Sequence, residues 1–125
     1  VKVLVTGAGG LIGYESSKFF LGLSAEVTGI DNNMRKYFFG DSGDVSGNIE
    51  NLISTGRAFN NLGADIRSRD AVLGIFRERG PFDLVIHTAA QPSHDWAAKE
   101  PFTDFDINAV GTLNLLEAFR LYSPR

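Results

Sequence analysis

The sequence predicts an α/β fold, a doubly wound parallel sheet, and three observations point to it. A β-branched run, Val1-Lys2-Val3-Leu4-Val5-Thr6, stops at Gly7 and leads through a glycine-rich turn into apolar residues at helical spacing. Two further runs have strand character, Glu26-Val27-Thr28-Gly29-Ile30 and Phe82-Asp83-Leu84-Val85-Ile86-His87-Thr88, the second being the clearest buried strand by its pattern. Helical periodicity fills the intervals. Strands alternating with helices through right-handed crossovers build a parallel sheet covered on both faces, with the expected order 3-2-1-4. The sheet is expected to stop after the fourth strand and its helix.

Each element has its own signal. From Leu11 to about Leu21, Leu11, Ile12, Phe19 and Phe20 recur around a polar face with Glu15 and Lys18, and Gly22 is the stop. Between Asn32 and Asn61 the pattern weakens, with Gly40, Gly43, Gly47 and Gly56 among Asp, Asn and Ser, so a surface excursion is expected with one short helix over 45–52. A short third strand belongs just before Asp65-Ile66. Asp70 is the expected N-cap of a helix carrying Val72, Leu73, Ile75 and Phe76 and closed by Gly80-Pro81. Pro101 opens the last helix, whose stripe of Phe102, Phe105, Ala109, Val110, Leu113, Leu116 and Phe119 keeps an i, i+3/i+4 rhythm.

Composition narrows the function classes. With 125 residues, 43% apolar and 22% charged, the chain suits one domain, 1–125, yet falls short of what a complete doubly wound enzyme normally needs. A net charge of -3 without basic runs argues against nucleic acid as a partner. The absence of cysteine removes disulfides, thiolate metal sites and Cys nucleophiles. Val1 to Gly13 has neither the plan of a signal peptide nor the length of a membrane span, so no membrane is expected and the cytoplasm is the default location.

Thr6-Gly7-Ala8-Gly9-Gly10-Leu11-Ile12-Gly13 sits directly between a strand and a helix. Gly7 allows the tight turn, Gly10 lets backbone approach a pyrophosphate, and Gly13 permits close helix–strand packing. Free N–H groups at the helix start, with Leu11 and Ile12, face the phosphates. Asp31 ends the second strand, about 20 residues further on, where a carboxylate accepts hydrogen bonds from the adenine ribose. The bland alternative is a solvated turn carboxylate. A 2′-phosphate would be repelled there, which favours NAD, although Arg35 and Lys36 could partly offset the charge. Ligands of such sheets lie outside the carboxyl ends of the strands, so Asp31-Asn32-Asn33, Asp65-Ile66 and Ala89-Ala90-Gln91 should converge with the loop. Adenine is expected near Asp65-Ile66, and the nicotinamide half toward Ala89 to His94.

These stretches, with His87-x-Ala89-Ala90 and Asn108-x-x-Gly111-Thr112-x-Asn114-Leu115-Leu116-Glu117-Ala118, resemble the extended short-chain dehydrogenase/reductases of the NAD-dependent epimerase/dehydratase family. The resemblance implies a Rossmann-type NAD-binding domain and a nucleotide-sugar substrate. Gln91-Pro92-Ser93-His94-Asp95-Trp96 through Pro101, and Asp31-Asn32-Asn33-Met34-Arg35-x-Tyr37-Phe38-Phe39-Gly40, resemble more narrowly the branch of the CDP-paratose (CDP-tyvelose) 2-epimerases. There, NAD oxidises a sugar carbon and the hydride returns to the other face. The resemblance further implies a homodimer at full length and Asn108 at the cofactor crevice, while Gln91, Ser93 and His94, in a loop at the substrate side of the crevice, are expected to contact the substrate. Segment 41–62 matches none of these motifs. The family's Ser/Thr and Tyr-x-x-x-Lys belong after a fifth strand, so no catalytic residue is expected in this chain.

Several residues carry a competing bland reading. Tyr14-Glu15-Ser16-Ser17-Lys18 has the Tyr-x-x-x-Lys spacing, but it belongs to the pyrophosphate-side helix and is expected to be ordinary surface. His87 is expected to be a hydrogen-bonded structural histidine. A metal site from His87, His94 and Asp95 lacks thiolates and helical His spacing, so none is expected. Trp96 serves either as a packing anchor or as a platform for a base. Asn108, Thr112 and Asn114 are either a solvated helix face or, for Asn108, a group that orders the crevice. Two rival functions stay open: another nucleotide-sugar 4-epimerase, dehydratase or reductase, and a non-catalytic dinucleotide-binding module.

Overall fold

The computed structural model describes residues 1–123. Four strands, β1 (Lys2–Thr6), β2 (Glu26–Ile30), β3 (Phe59–Leu62) and β4 (Leu84–His87), form one parallel sheet in the order β3-β2-β1-β4. This is the expected order. Leu4 stands beside Thr28 on one side and Val85 on the other, so β1 is paired along both edges. Successive β1 side chains point to opposite faces. Leu4 joins Ile30, Phe76, Phe82, Ile107 and Leu115 in one core, while Val3 and Val5 join Val27, Leu21 and Leu52 in the other.

The helices follow from these two faces. Helices α1 (Leu11–Gly22) and α3 (Ser46–Ser54) cover the Val3/Val5 side, and α4 (Arg69–Arg79) and α7 (Gly111–Tyr122) cover the Leu4 side. The excursion after β2 holds more structure than expected. The helix foreseen over 45–52 is α3, and an unforeseen α2 (Met34–Phe39) with a 3-10 turn (Gly40–Gly43) precedes it. After β4 come α5 (His94–Lys99), also unforeseen, and α6 (Pro101–Phe105), which passes through a π-helical turn (Asp106–Val110) into α7.

Three local expectations need correction. The N-cap of α4 is Ser68, whose Oγ accepts from the Ala71 amide at 3.3 Å; Asp70 lies inside the first turn, where its charge still complements the helix dipole. Strand β4 is an edge among the described residues, so Leu84 is exposed and Val85 and Ile86 are half-buried; β1, paired on both sides, is buried from Val3 to Thr6. The apolar stripe of the last helix is not its packed face. Phe102 is 85% exposed and Leu113 64%, whereas Ile107, Gly111, Asn114, Leu115 and Ala118 are buried. Small residues decide the orientation, because a Cβ at Gly111 would meet Ile66 Cδ1 at 2.6 Å. Among the described residues no helix is long and apolar enough to cross a membrane.

Candidate functional site

A crevice opens at the carboxyl ends of the strands, with a cavity of about 260 Å³. Its floor is the turn after β1. Gly7 has φ +70°, its amide donates to the Ile30 carbonyl at 2.7 Å, and a Cβ on it would meet the Ala89 amide nitrogen at 2.8 Å. A Cβ on Gly13 would collide with the Gly7 carbonyl. Gly10 differs: it lines the crevice, and a Cβ there would meet only the Gly7 carbonyl oxygen, at 3.3 Å. No side chain caps α1, so its first amides are free to bind an anion. Leu11 and Ile12 of that first turn line the crevice.

Asp31 ties the ends of β1 and β2 together. Its Oδ2 accepts from the Gly9 amide at 2.9 Å and its Oδ1 from the Asn33 amide at 2.8 Å. Each carboxylate oxygen keeps a lone pair for a ribose hydroxyl. Asn33, in the left-handed region at φ 59°, turns its side chain to the Asp44 carboxylate and the Val45 amide. Asp44 also accepts from the amide and hydroxyl of Ser46 and pairs with Lys36, and these bonds hold its carboxyl well below the usual carboxylate range. Segment 41–62 therefore has a place in the site. Val45 packs on Gly9, where a Cβ would meet Val45 Cγ2 at 2.6 Å, and Asn48 Nδ2 donates to the Gly9 carbonyl at 2.8 Å.

The wall after β3 is the turn Asp65-Ile66-Arg67. Arg67 Nη2 stands 2.6 Å from Asp65 Oδ2 and its backbone amide donates to Asp65 Oδ1 at 2.9 Å, which lowers the Asp65 pKa. The opposite wall follows β4. Thr112 Oγ1 donates to the Asn108 carbonyl at 2.6 Å, so it accepts from His87 Nε2 at 2.9 Å; Nδ1 then accepts from Thr6 Oγ1 at 2.6 Å. His87 is a neutral structural imidazole, and burial pushes its pKa down. Beyond it, the Gln91 amide donates to Asn108 Oδ1 at 2.9 Å, and Gln91 Nε2 donates to Asp104 Oδ1 and the Ser93 carbonyl. At 4% exposure, Gln91 is consumed by this network. The π-helical turn carries Asn108 to it.

Helix α2, which lines the crevice through Met34, Arg35 and Phe38, packs against α5. Trp96 Nε1 donates to the Phe38 carbonyl at 2.7 Å, its ring packs on Tyr37 and Phe38, and Tyr37 Oη donates to Glu100 at 3.3 Å. Trp96 is thus a packing anchor.

Of the residues named from sequence, the crevice brings together Gly7, Gly10, Leu11, Ile12, Asp31, Asn32, Arg35, Asp65, Ile66, Ala89 and Ala90. Gly13, Asn33, Gln91 and Asn108 stand behind that lining as its supports. Ser93 caps α5 through its hydroxyl, and His94 is exposed on the first turn of α5; neither lines the crevice. Arg35 lies 4.9 Å over the Phe39 ring, and Lys36 is turned to Asp41 and Asp44. The Tyr14–Lys18 pair faces itself on α1 away from the crevice, Lys18 being 5.1 Å from the Tyr14 ring centroid. Sequence reasoning missed Met34, Phe38, Val45, Ala64, Thr88, Pro92, Ile30 and Ile107. The first two carried a usable signal, four-residue spacing after Asp31-Asn32-Asn33. No group of three His, Cys, Asp or Glu among the described residues is placed to hold a metal.

The backbone room at Gly10, the uncapped start of α1 and the carboxylate at Asp31 fit a dinucleotide. Comparison with known proteins is consistent with this. The chain is 33% identical over 123 residues to CDP-paratose 2-epimerase of Salmonella typhi, covering 98% of this chain and 34% of that protein. It is 35% identical over 125 residues to dTDP-glucose 4,6-dehydratase of Shigella flexneri, covering 98% and 32%. The structure of Thermus thermophilus UDP-glucose 4-epimerase in complex with NAD superposes with a TM-score of 0.74 at 34% identity, over 98% of this chain and 34% of that one. The chain spans about a third of the length of these relatives. Residues 3–125 match one family along almost the whole sequence, and the chain belongs to that family, the NAD-dependent epimerases/dehydratases, whose cofactor is NAD.

Proposed function

We propose that the protein carrying this chain is a nucleotide-sugar epimerase of the CDP-sugar 2-epimerase type, and that residues 1–125 are its NAD-binding part. The observation that carries this reading is the convergence of the Gly7–Gly13 turn, Asp31 and Asp65 on one crevice from the ends of three strands. The chemistry that bound NAD supplies is acceptance of a hydride from a sugar carbon and its return to the other face. The chain's own residues bind and orient: α1 amides take the pyrophosphate, Asp31 the ribose, and the Asp65 turn the adenine. The wall at Ala89, Ala90 and Pro92 is left for the nicotinamide and the sugar.

Support for the CDP-sugar branch comes from two places. The two stretches that resemble that branch, 31–40 and 91–101, are joined to each other through Trp96–Phe38 and Tyr37–Glu100. CDP-paratose 2-epimerase is also among the relatives matched. The acid–base pair, Ser/Thr with Tyr-x-x-x-Lys, is assigned to the rest of the enzyme, because the only such spacing here lies on α1 outside the crevice. A homodimer is proposed for the complete protein, supported by the exposed apolar residues of α6 and α7.

The test is to incubate the full-length protein and NAD with CDP-, dTDP- and UDP-hexoses and follow the products by NMR. Inversion at C2 of a CDP-hexose is expected. Turnover confined to UDP- or dTDP-sugars would move the assignment to a 4-epimerase or dehydratase, and NAD binding without turnover of any sugar would leave a binding module.

A further inference from the structure

Asn114 sits on α7, and its polarity at that position has no role in the crevice as described so far. It is 7% exposed, and its Nδ2 donates to two carbonyls outside its own helix, Ile66 at 2.9 Å and Arg67 at 3.2 Å. Those carbonyls lie in the turn between β3 and α4, where no sheet or helix bond serves them, and buried backbone acceptors need partners. One turn earlier on the same face, Gly111 brings α7 against the Ile66 side chain.

The turn so held carries the adenine-side wall. The residue whose carbonyl Asn114 holds, Arg67, grips the Asp65 carboxylate with its side chain and its amide. The Ile66 carbonyl that Asn114 holds and the Arg67 amide that donates to Asp65 belong to the same peptide unit, and through it Asn114 acts on Asp65. Asp65 and Ile66 both line the crevice. The same helical segment holds the other wall as well, Asn108 through Gln91 and Thr112 through His87.

We infer that Asn114 is a positioning residue for the purine end of the dinucleotide, setting the Asp65 carboxylate to accept from an exocyclic amine. The inference rests on the dinucleotide reading proposed above. A carboxylate so placed favours adenine, which presents an amine, over hypoxanthine, which presents an oxygen in its place. Loosening the turn should therefore erase the discrimination between purines as well as weaken binding.

The experiment measures, in the full-length protein, the affinities for NAD and for nicotinamide hypoxanthine dinucleotide by calorimetry, with thermal melting alongside. Asn114→Ala removes the donor, Asn114→Ser removes it more gently, and Gly111→Ala drives a methyl into Ile66. Leu21→Ala, in the core on the other face of the sheet, controls for lost stability. The wild type should prefer NAD, and the α7 variants should lose about tenfold in NAD affinity, the order expected for a lost hydrogen bond, with the preference falling toward one. The control should melt earlier and keep the preference. A wild type that binds both dinucleotides equally, α7 variants with the wild-type preference, or a control that loses it as fully as Asn114→Ala would each overturn the inference. A wild type that binds no NAD would instead remove the dinucleotide reading beneath it.

Discussion

His87 lies between two hydroxyls whose other bonds leave it a single arrangement, proton on Nε2 and lone pair on Nδ1. Protonation would break the Thr6 bond and charge a half-buried ring. Its folded pKa lies below the usual histidine value, so the unfolded chain takes up the proton first as pH falls. Stability should accordingly be full above about pH 6.5 and decline as pH drops below it. Urea midpoints between pH 7.5 and 5 should show this decline, and His87→Gln should flatten it; a wild-type midpoint constant over that range would refute the assignment. At Asp31, the nearby cations are engaged elsewhere, Arg35 over Phe39 and Lys36 with Asp41 and Asp44. NAD should bind at least about tenfold more tightly than NADP, and Asp31→Asn should narrow the gap. Equal affinities in calorimetric titration would point to Arg35 as a phosphate partner. Gly10→Val should block NAD binding while circular dichroism stays native, because only the crevice side is filled. Unchanged affinity in that variant would reduce the loop to a plain turn.

At the scale of elements, α1 and α7 obey one rule that their apolar content hides. Each sets small residues on its buried face, Gly13 and Ser17 beside Leu21 in α1 and Gly111 and Ala118 beside Leu115 in α7, and leaves Leu11, Phe19, Leu113 and Leu116 outward. Close approach outweighs side-chain size, since Gly13 and Gly111 have no space for a Cβ. Helix α3 has a different task, holding Gly9 through Asn48 and Val45. Asn48→Ala should leave the sheet intact and weaken NAD binding by about threefold to tenfold, from one hydrogen bond lost behind the Gly7–Gly13 turn. Calorimetry with a matched thermal melt decides between this and a role limited to stability.

At the scale of the molecule, the exposed stripe of α6 and α7 adjoins a sheet whose β4 edge is open among the described residues. Such apolar surface associates in water. Residues 1–125 expressed alone should therefore self-associate and turn over no CDP- or UDP-sugar with NAD. Leu113→Lys with Leu116→Lys should shift light scattering toward monomer. A monomeric wild-type fragment with epimerase activity would return Tyr14, Lys18 and His94 to the list of acid–base groups.

The sequence by itself determined the strand order, the glycine turn, the carboxylate at the end of β2 and the family, because each depends on local chemistry: periodicity, backbone freedom at Gly7 and Gly10, charge after β2. Only the tertiary structure decided which helix faces pack, that Gln91 supports the crevice from behind, that segment 41–62 clamps Gly9, and that Asn114 reaches the turn after β3. These are contacts between residues 17 to 48 positions apart. Their partners are chosen by how closely the elements approach, a quantity that no single stretch of chain encodes.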